Sequence, residues 1–154
     1  MFAYRVEKQK HLSTILKGIP GEVSDFRWNT KGHPIIYSSE SRSLALHEKC
    51  ANLSKPLYGL DPSCMLVQIE LPDGKYRRVI PKELPEGWDM IGSYHPHTQR
   101  IGDEFTSSEE LALMVPSTII KGEYNILINP WRALVLQPRI TIEPIDERLK
   151  DLRW

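Results

Sequence analysis

The sequence predicts an α+β fold. Strand-sized apolar runs outnumber helical stretches, the connections look like hairpins, and no βαβ rhythm recurs. Phe2 to Val6 alternates as a half-buried strand does. Lys8 to Lys17 reads as a short helix, ended by Gly18 and blocked by Pro20. Gly21 to His33 is expected to be irregular. Pro34-Ile35-Ile36-Tyr37 reads as a strand that runs into Ser38-Ser39, a cap for the next helix. Glu40 to about Leu53 is the clearest helix. Leu44, Glu48 and Ala51 fall on one stripe at helical spacing, flanked by Ala45 and His47, so Glu48 shares the face expected to meet the core. A carboxylate there is costly unless it is paired or lines a cavity.

Met65, Val67, Ile69 and Leu71 share one face of a strand. Pro72-Asp73-Gly74 is a turn signal, with Tyr76 to Ile80 expected to return as the second strand of a hairpin. Pro81 to Met90 is a loop. Tyr94 to Asp103 contains a helix starting near Pro96. Leu111 to Val115 is a strand broken by Pro116. Ile119-Ile120, Tyr124 to Asn129 and Ile140-Thr141-Ile142 are further strands, and the charged tail Asp146 to Trp154 is read as a terminal helix. No repeat, low-complexity tract or linker divides the chain, so residues 1–154 are read as a single domain.

Lys+Arg and Asp+Glu both count 20, which argues against a phosphate-backbone binder but leaves room for a local basic pocket. Cys50 and Cys64 are the two cysteines, too few for a zinc ribbon and without a CxxC. His95-Pro96-His97 lacks an evident third ligand, so no metal is expected. The N-terminus turns polar at Glu7-Lys8 before an apolar signal core could form, and the apolar runs are too short to cross a bilayer. A soluble, cytoplasmic protein is the expectation, with no membrane and no direct nucleic-acid contact.

A polar set stands out against this apolar patterning: Arg5, Arg27 with Trp28-Asn29, Tyr37, Glu48 and Ser117. Arginine forks suit a diphosphate, since they donate paired hydrogen bonds. The spacing from Tyr37 to Glu48 joins a strand end to the following helix and can bring both to one cleft. Taken singly, each has a plain structural reading. Arg5 is then a solvated strand residue, Arg27 stacks on an aromatic surface, and Tyr37 is core with a wet hydroxyl. Glu48 neutralises an arginine, and Ser117 is a turn residue.

Together these residues resemble the RES domain, named for an arginine, a glutamate and a serine. The resemblance runs through Tyr4-Arg5, Arg27-Trp28-Asn29 with Gly32 and Pro34, Ile36-Tyr37, and Ala45 with Glu48. It continues in Thr98-Gln99 with Gly102-Asp103, Val115-Pro116-Ser117, and Asn125-Ile126-Leu127-Ile128-Asn129-Pro130. Two positions depart from the family pattern. Asp25-Phe26 stands where paired glycines are frequent, and Trp131-Arg132-Ala133 follows Asn129-Pro130 where a histidine is common.

The resemblance implies an ADP-ribosyltransferase-like fold, a small mixed and mainly antiparallel β core with flanking helices. It implies the toxin of a bacterial type II toxin–antitoxin pair that cleaves the nicotinamide–ribose bond of NAD+. NAD+ is then the substrate, and inorganic phosphate or water the acceptor. It implies an Xre-type helix-turn-helix antitoxin that covers the active site, and it is compatible with a homodimer within that complex. By position, Glu48, Arg27, Arg5, Tyr37 and Ser117 are the catalytic set, with Arg5, Arg27, Asn29, Tyr37 and Ser117 toward the nucleotide. The alternative is a mono-ADP-ribosyltransferase acting on a protein. A ribonuclease toxin would need a basic groove and an acid–base pair that the sequence lacks. A non-enzymatic nucleotide-binding module would bind NAD+ without consuming it.

Overall fold

The computed structural model describes residues 1–56 and 59–146. It carries one seven-stranded sheet in the order β4-β5-β6-β2-β1-β3-β7, flanked by helices. The strands are β1 (Phe2–Lys8), β2 (Ile36–Ser39), β3 (Cys64–Glu70), β4 (Tyr76–Arg78), β5 (Ala112–Pro116), β6 (Tyr124–Ile128) and β7 (Arg139–Pro144). The helices are α1 (Ile19–Val23), α2 (Arg42–Leu53), α3 (Pro96–Thr106) and α4 (Pro130–Leu136), with short 3-10 turns at Gln9–Thr14 and Pro81–Glu83. All strand pairs are antiparallel except β4 with β5. The α+β class expected from the sequence is the one observed.

Several local expectations are corrected. The stretch after β1 is a 3-10 turn, not an α-helix. Pro20 does not block a helix but sits in the first turn of α1, where its missing N–H is harmless. The Pro72-Asp73-Gly74 turn does not close a hairpin. β3 has β1 on one side and β7 on the other, so both its edges are taken, and β4 pairs in parallel with β5 instead. Ile119-Ile120 is no strand, because both backbone N–H groups donate to Ser117 Oγ at 3.1 Å and fold the chain into a turn. Helix α2 is capped by Ser41, whose side chain accepts from Leu44 N at 3.1 Å, rather than by Ser38 or Ser39. Of the predicted stripe on α2, Leu44 is buried with Ala45 and Glu48 is half-buried, but Ala51 is exposed. Helix α4 is not legible from periodicity; Asn129 caps it and Pro130 opens it. The predicted tail helix falls beyond Asp146, outside the described residues.

Both faces of the sheet are covered. On one face Ala3, Ile36, Val67, Ile69, Ile126 and Ile128 pack with Leu12, Leu16 and Ala133. On the other, Trp28, Ile35, Phe105, Leu113, Val115 and Leu127 form one cluster beneath α3, and Val6, Ala45, Cys64 and Leu66 form a second beneath α2. Each fully buried large apolar side chain contributes about 1.5–3 kcal/mol. β1 and β2 are paired only at Tyr4 and Ser39, whereas β1 and β3 pair along seven positions. The central sheet is thus weakly stitched where the Tyr37-bearing strand meets the Arg5-bearing one.

Candidate active site

Glu48 lies three residues past the buried Leu44-Ala45 step of α2 and reaches the end of β5 and the face of β6. Its Oε1 accepts two hydrogen bonds, from Ser117 Oγ at 3.0 Å and from Asn125 Nδ2 at 2.5 Å. Its Oε2 has no hydrogen-bond partner among the described residues. Ser117 lies just past β5, where Pro116 has ended the strand, and is 5% exposed. Its hydroxyl proton goes to Glu48 and its lone pairs accept the N–H groups of Ile119 and Ile120. A hydroxyl has one proton and two lone pairs, so Ser117 is fully used in holding Glu48.

Arg27 sits in the turn between α1 and β2, next to the isolated bridge between Phe26 and Asn29. That turn is held by one face of α3. Thr98 Oγ1 donates to Arg27 O at 2.7 Å, and Gln99 Nε2 donates to Phe26 O at 3.1 Å. Asp103 accepts from Thr30 N at 2.8 Å and Thr30 Oγ1 at 2.6 Å. Between them lies Gly102, where a Cβ would fall 1.5 Å from Trp28 O. Only glycine lets the helix approach that backbone so closely. The spaced Thr98-Gln99 and Gly102-Asp103 blocks are therefore the clamp that fixes the Arg27 turn.

The Arg27 guanidinium points at the loop before α3. Nη1 donates to Trp88 O at 2.6 Å and Ser93 O at 3.4 Å, and Nη2 donates to Met90 O at 3.0 Å. The Tyr94 ring lies 5.9 Å from the guanidinium carbon. Burial lowers the Arg27 pKa below its ordinary value, while Tyr94, Asp89, Glu48 and Tyr37 act to raise it. An arginine so placed stays charged. Glu48 and Tyr37 are thus close enough to Arg27 to act on its charge.

Tyr37 extends from β2 into this region, with Phe26 edge-on at 5.8 Å between ring centroids. Its hydroxyl donates to Asn29 Oδ1 at 2.6 Å. Burial pushes its pKa far above the ordinary phenol value, so the group stays a neutral donor at any physiological pH. Asn29 is 0% exposed, and its Nδ2 donates to the carbonyls of Gly21, Ser24 and Thr30. Asn29 therefore reaches the site only by holding Tyr37; the buried amide touches backbone, where the sequence suggested a nucleotide. Asp25 accepts from Lys31 N at 2.6 Å and Phe26 packs on Tyr37, so the residues that replace the usual glycines make specific contacts of their own.

Arg5 behaves differently. Its guanidinium pairs with Glu7 at 2.6 Å, and Glu7 is in turn 3.8 Å from Lys49 of α2. Arg5 thus reaches the helix that carries Glu48 through Glu7 and Lys49, not through Glu48 itself. Burial raises the Glu7 pKa, but Arg5, the Lys8 backbone N–H and Lys49 outweigh it and hold the carboxyl below its ordinary range. Two surface hollows, of about 500 Å³ beside Met1, Leu71 and Pro138 and about 280 Å³ beside Arg42, Leu46 and Ile145, include none of Glu48, Arg27, Tyr37 or Ser117. His95 caps α3, its Nδ1 accepting from His97 N at 3.0 Å, which gives the His-Pro-His run a structural role.

The sequence reading missed Asn125 and Ser39 as parts of the site. Ser39 is 2% exposed, and its hydroxyl donates to Asn125 Oδ1 at 2.7 Å across the β2–β6 pair. The available signal was a pair of polar residues on strands that are otherwise apolar.

A mixed, mainly antiparallel seven-stranded sheet with flanking helices defines a small α+β domain. The RES domain pattern matches residues 2–149 of the chain. Toxin Res of Yersinia enterocolitica is 32% identical over 97% of this chain and 100% of its own length. The Prs ADP-ribosylating toxin of a Sphingobium species is 35% identical over 75% of this chain and 72% of its own. Toxin Res of Pseudomonas putida is 30% identical over 87% of this chain and 92% of its own. The chain belongs to the RES domain family.

Proposed function

We propose that this protein is a RES toxin that consumes NAD+ by breaking the bond between nicotinamide and ribose. The observation that carries the reading is the state of Glu48. One carboxylate oxygen is saturated by two donors, the other is left without a protein partner among the described residues, and Arg27 and Tyr37 stand in electrostatic reach. Nicotinamide leaves NAD+ as a neutral amine, so no strong general acid is required. The bond from ribose C1 to the pyridinium nitrogen breaks, and its electron pair stays on nicotinamide. Positive charge then builds on the ribose in an oxocarbenium-like transition state. A fixed carboxylate beside that charge stabilises it, and a water or phosphate oxygen closes the new bond on the same carbon. Water gives its proton to solvent; phosphate is consumed as its anion.

Arg27 supplies a permanent charge for the diphosphate, and Tyr37, locked as a neutral donor on Asn29, shapes the wall beside it. Arg5, paired with Glu7, is the second arginine of the proposed set. The partner is an Xre-type antitoxin that covers these residues, and the compartment is the cytoplasm. No helix among the described residues is long and apolar enough to cross a membrane. A second reading, transfer of ADP-ribose to a protein, is favoured by the likeness to the Prs ADP-ribosylating toxin.

The test is to incubate purified protein with adenine-labelled NAD+, with and without inorganic phosphate. Free nicotinamide with ADP-ribose, or with its phosphorylated form only when phosphate is present, fits the main reading. Label that appears on protein only when a target is added fits the second. NAD+ left intact under all conditions contradicts both.

A further inference from the structure

We propose that Asn125, set in orientation by Ser39, is a positioning residue that aims the free oxygen of Glu48 at the substrate. The inference rests on the reading of Glu48 as the working carboxylate. Asn125 lies on β6 directly opposite Ser39 on β2 and Val115 on β5, at the polar end of an apolar three-strand centre. Its two functional ends have separate jobs. Oδ1 accepts the Ser39 hydroxyl at 2.7 Å, and Nδ2 donates to Glu48 Oε1 at 2.5 Å.

Two neighbours decide which way the amide faces. With Ser39 Oγ also able to accept, a free amide has two orientations that differ by a half-turn. The Glu48 carboxylate breaks that tie, because a carboxylate accepts only and must meet the NH2 end. The hydroxyl of Ser39 then donates to the remaining oxygen. The result is a directed chain from Ser39 through Asn125 to Glu48.

Ser117 approaches the same oxygen at 3.0 Å. Two donors from different parts of the sheet, converging on one oxygen, fix both the position of the carboxylate and its rotation about the Cγ–Cδ bond. A single donor would fix the first and leave the second free. Asn125 thus helps keep one carboxylate oxygen engaged with the protein, leaving the other without a hydrogen-bond partner among the described residues. Charge-assisted bonds of this kind are also roughly twice as strong as neutral ones, so the orientation is firmly held.

The test uses the full chain with NAD+ consumption as readout and the variants Asn125→Ala, Ser39→Ala and the pair together. Asn125→Ala is expected to lower kcat on the order of 10- to 100-fold, as a misplaced reacting group does. Its KM is expected to stay within about twofold, since nothing that binds substrate has been removed. Ser39→Ala is expected to have a smaller effect, and the double variant to be no slower than Asn125→Ala, because Ser39 acts through Asn125. A merely structural role would make the two losses add and would lower thermal stability in step with activity.

Asn125→Leu keeps the size and removes the donor without adding a charge beside Glu48, so it serves where the alanine variant fails to fold, and a loss of kcat is expected there too. A crystal structure of Asn125→Ala gives a readout without activity. Glu48 turned away from its present pose supports the proposal; Glu48 unmoved, or kcat unchanged, overturns it. Glu48→Gln separates the two failures. If that variant is dead while Asn125→Ala is fully active, only the positioning role falls; if Glu48→Gln keeps full activity, the carboxylate reading itself is wrong.

Discussion

The two halves of the site are built in different ways. The Glu48 half is made of side chains on regular elements: a helix residue held by Ser117 at the end of β5 and Asn125 on β6, with Ser39 of β2 behind. The Arg27 half is made of backbone. A turn is clamped by α3, and the guanidinium is spread over the carbonyls of Trp88, Met90 and Ser93 in a loop whose Met90 and Ile91 are 60% and 95% exposed. Side chains on strands hold geometry to fractions of an ångström, whereas a surface loop is drawn from the less stable end of the fold. The carboxylate side is therefore the preorganised one, and the guanidinium side is the one able to rearrange around a ligand.

Breaking the clamp is the harshest way to test that contrast. In an exposed helix, glycine to alanine is worth about 1 kcal/mol of added stability. At Gly102 the new Cβ would meet Trp28 O, a backbone atom that cannot swing aside. Gly102→Ala is expected to destabilise by about 3 kcal/mol, in the upper range for overpacking. Denaturant unfolding checks this, and a rise in stability would refute the clamp.

Removing the cation comes next. Arg27→Ala should lower kcat/KM about 100-fold if the guanidinium meets the diphosphate in the transition state. It should also free the 88–93 loop, read as faster amide exchange at Met90 and Ile91 with exchange around Glu48 unchanged. Equal loosening in both halves would erase the difference between them.

Glu7 sharpens the role of Arg5. Glu7→Gln leaves a half-buried guanidinium without its counter-charge and is expected to cost about 1–3 kcal/mol. Because the folded carboxyl is held below its ordinary value, its contribution is complete above the unfolded pKa near 4.5 and fades as pH falls through the lower folded value. The gap between wild type and Glu7→Gln should therefore be full at pH 7 and close under acid, as thermal melts at stepped pH would show. A gap that persists unchanged into strong acid contradicts the pairing.

Tyr37→Phe should have the smallest effect. It removes the bond to Asn29 and leaves a buried acceptor unmet, a loss of about 1 kcal/mol. Activity should fall only modestly, since the hydroxyl already faces Asn29 and not the open side. A collapse of kcat would mean that the phenol turns to the substrate during the reaction.

The sequence shows some of this and conceals the rest for identifiable reasons. Glu48 is legible because a carboxylate on an apolar helical stripe needs a partner, and one is present. Tyr37 and Arg27 enter the candidate set through the resemblance of their blocks, since each residue taken alone has a plain structural reading. The roles of Asn29 and Ser117 are less so, since a buried polar group serving the protein and one serving a ligand look alike in a sequence. The fold class comes through because short apolar runs with turn signals have few solutions. Strand pairing does not. Nothing local to Pro72-Asp73-Gly74 says that both edges of β3 are already taken by β1 and β7, which lie far away in the chain. Helix α4 is hidden because Trp131, Leu134 and Val135 are exposed, so its apolar residues do not form the inward stripe that periodicity seeks.

The central claim is that an oriented Glu48 carboxylate carries NAD+ breakdown. The direct measurement is the rate of nicotinamide release by wild type and by Glu48→Gln, at matched concentration and with the melting temperature of each recorded. The expected result is a loss of about 1,000-fold or more in the variant, because the charge that meets the oxocarbenium ion is gone, with the fold retained. A folded Glu48→Gln protein that releases nicotinamide at the wild-type rate would contradict it.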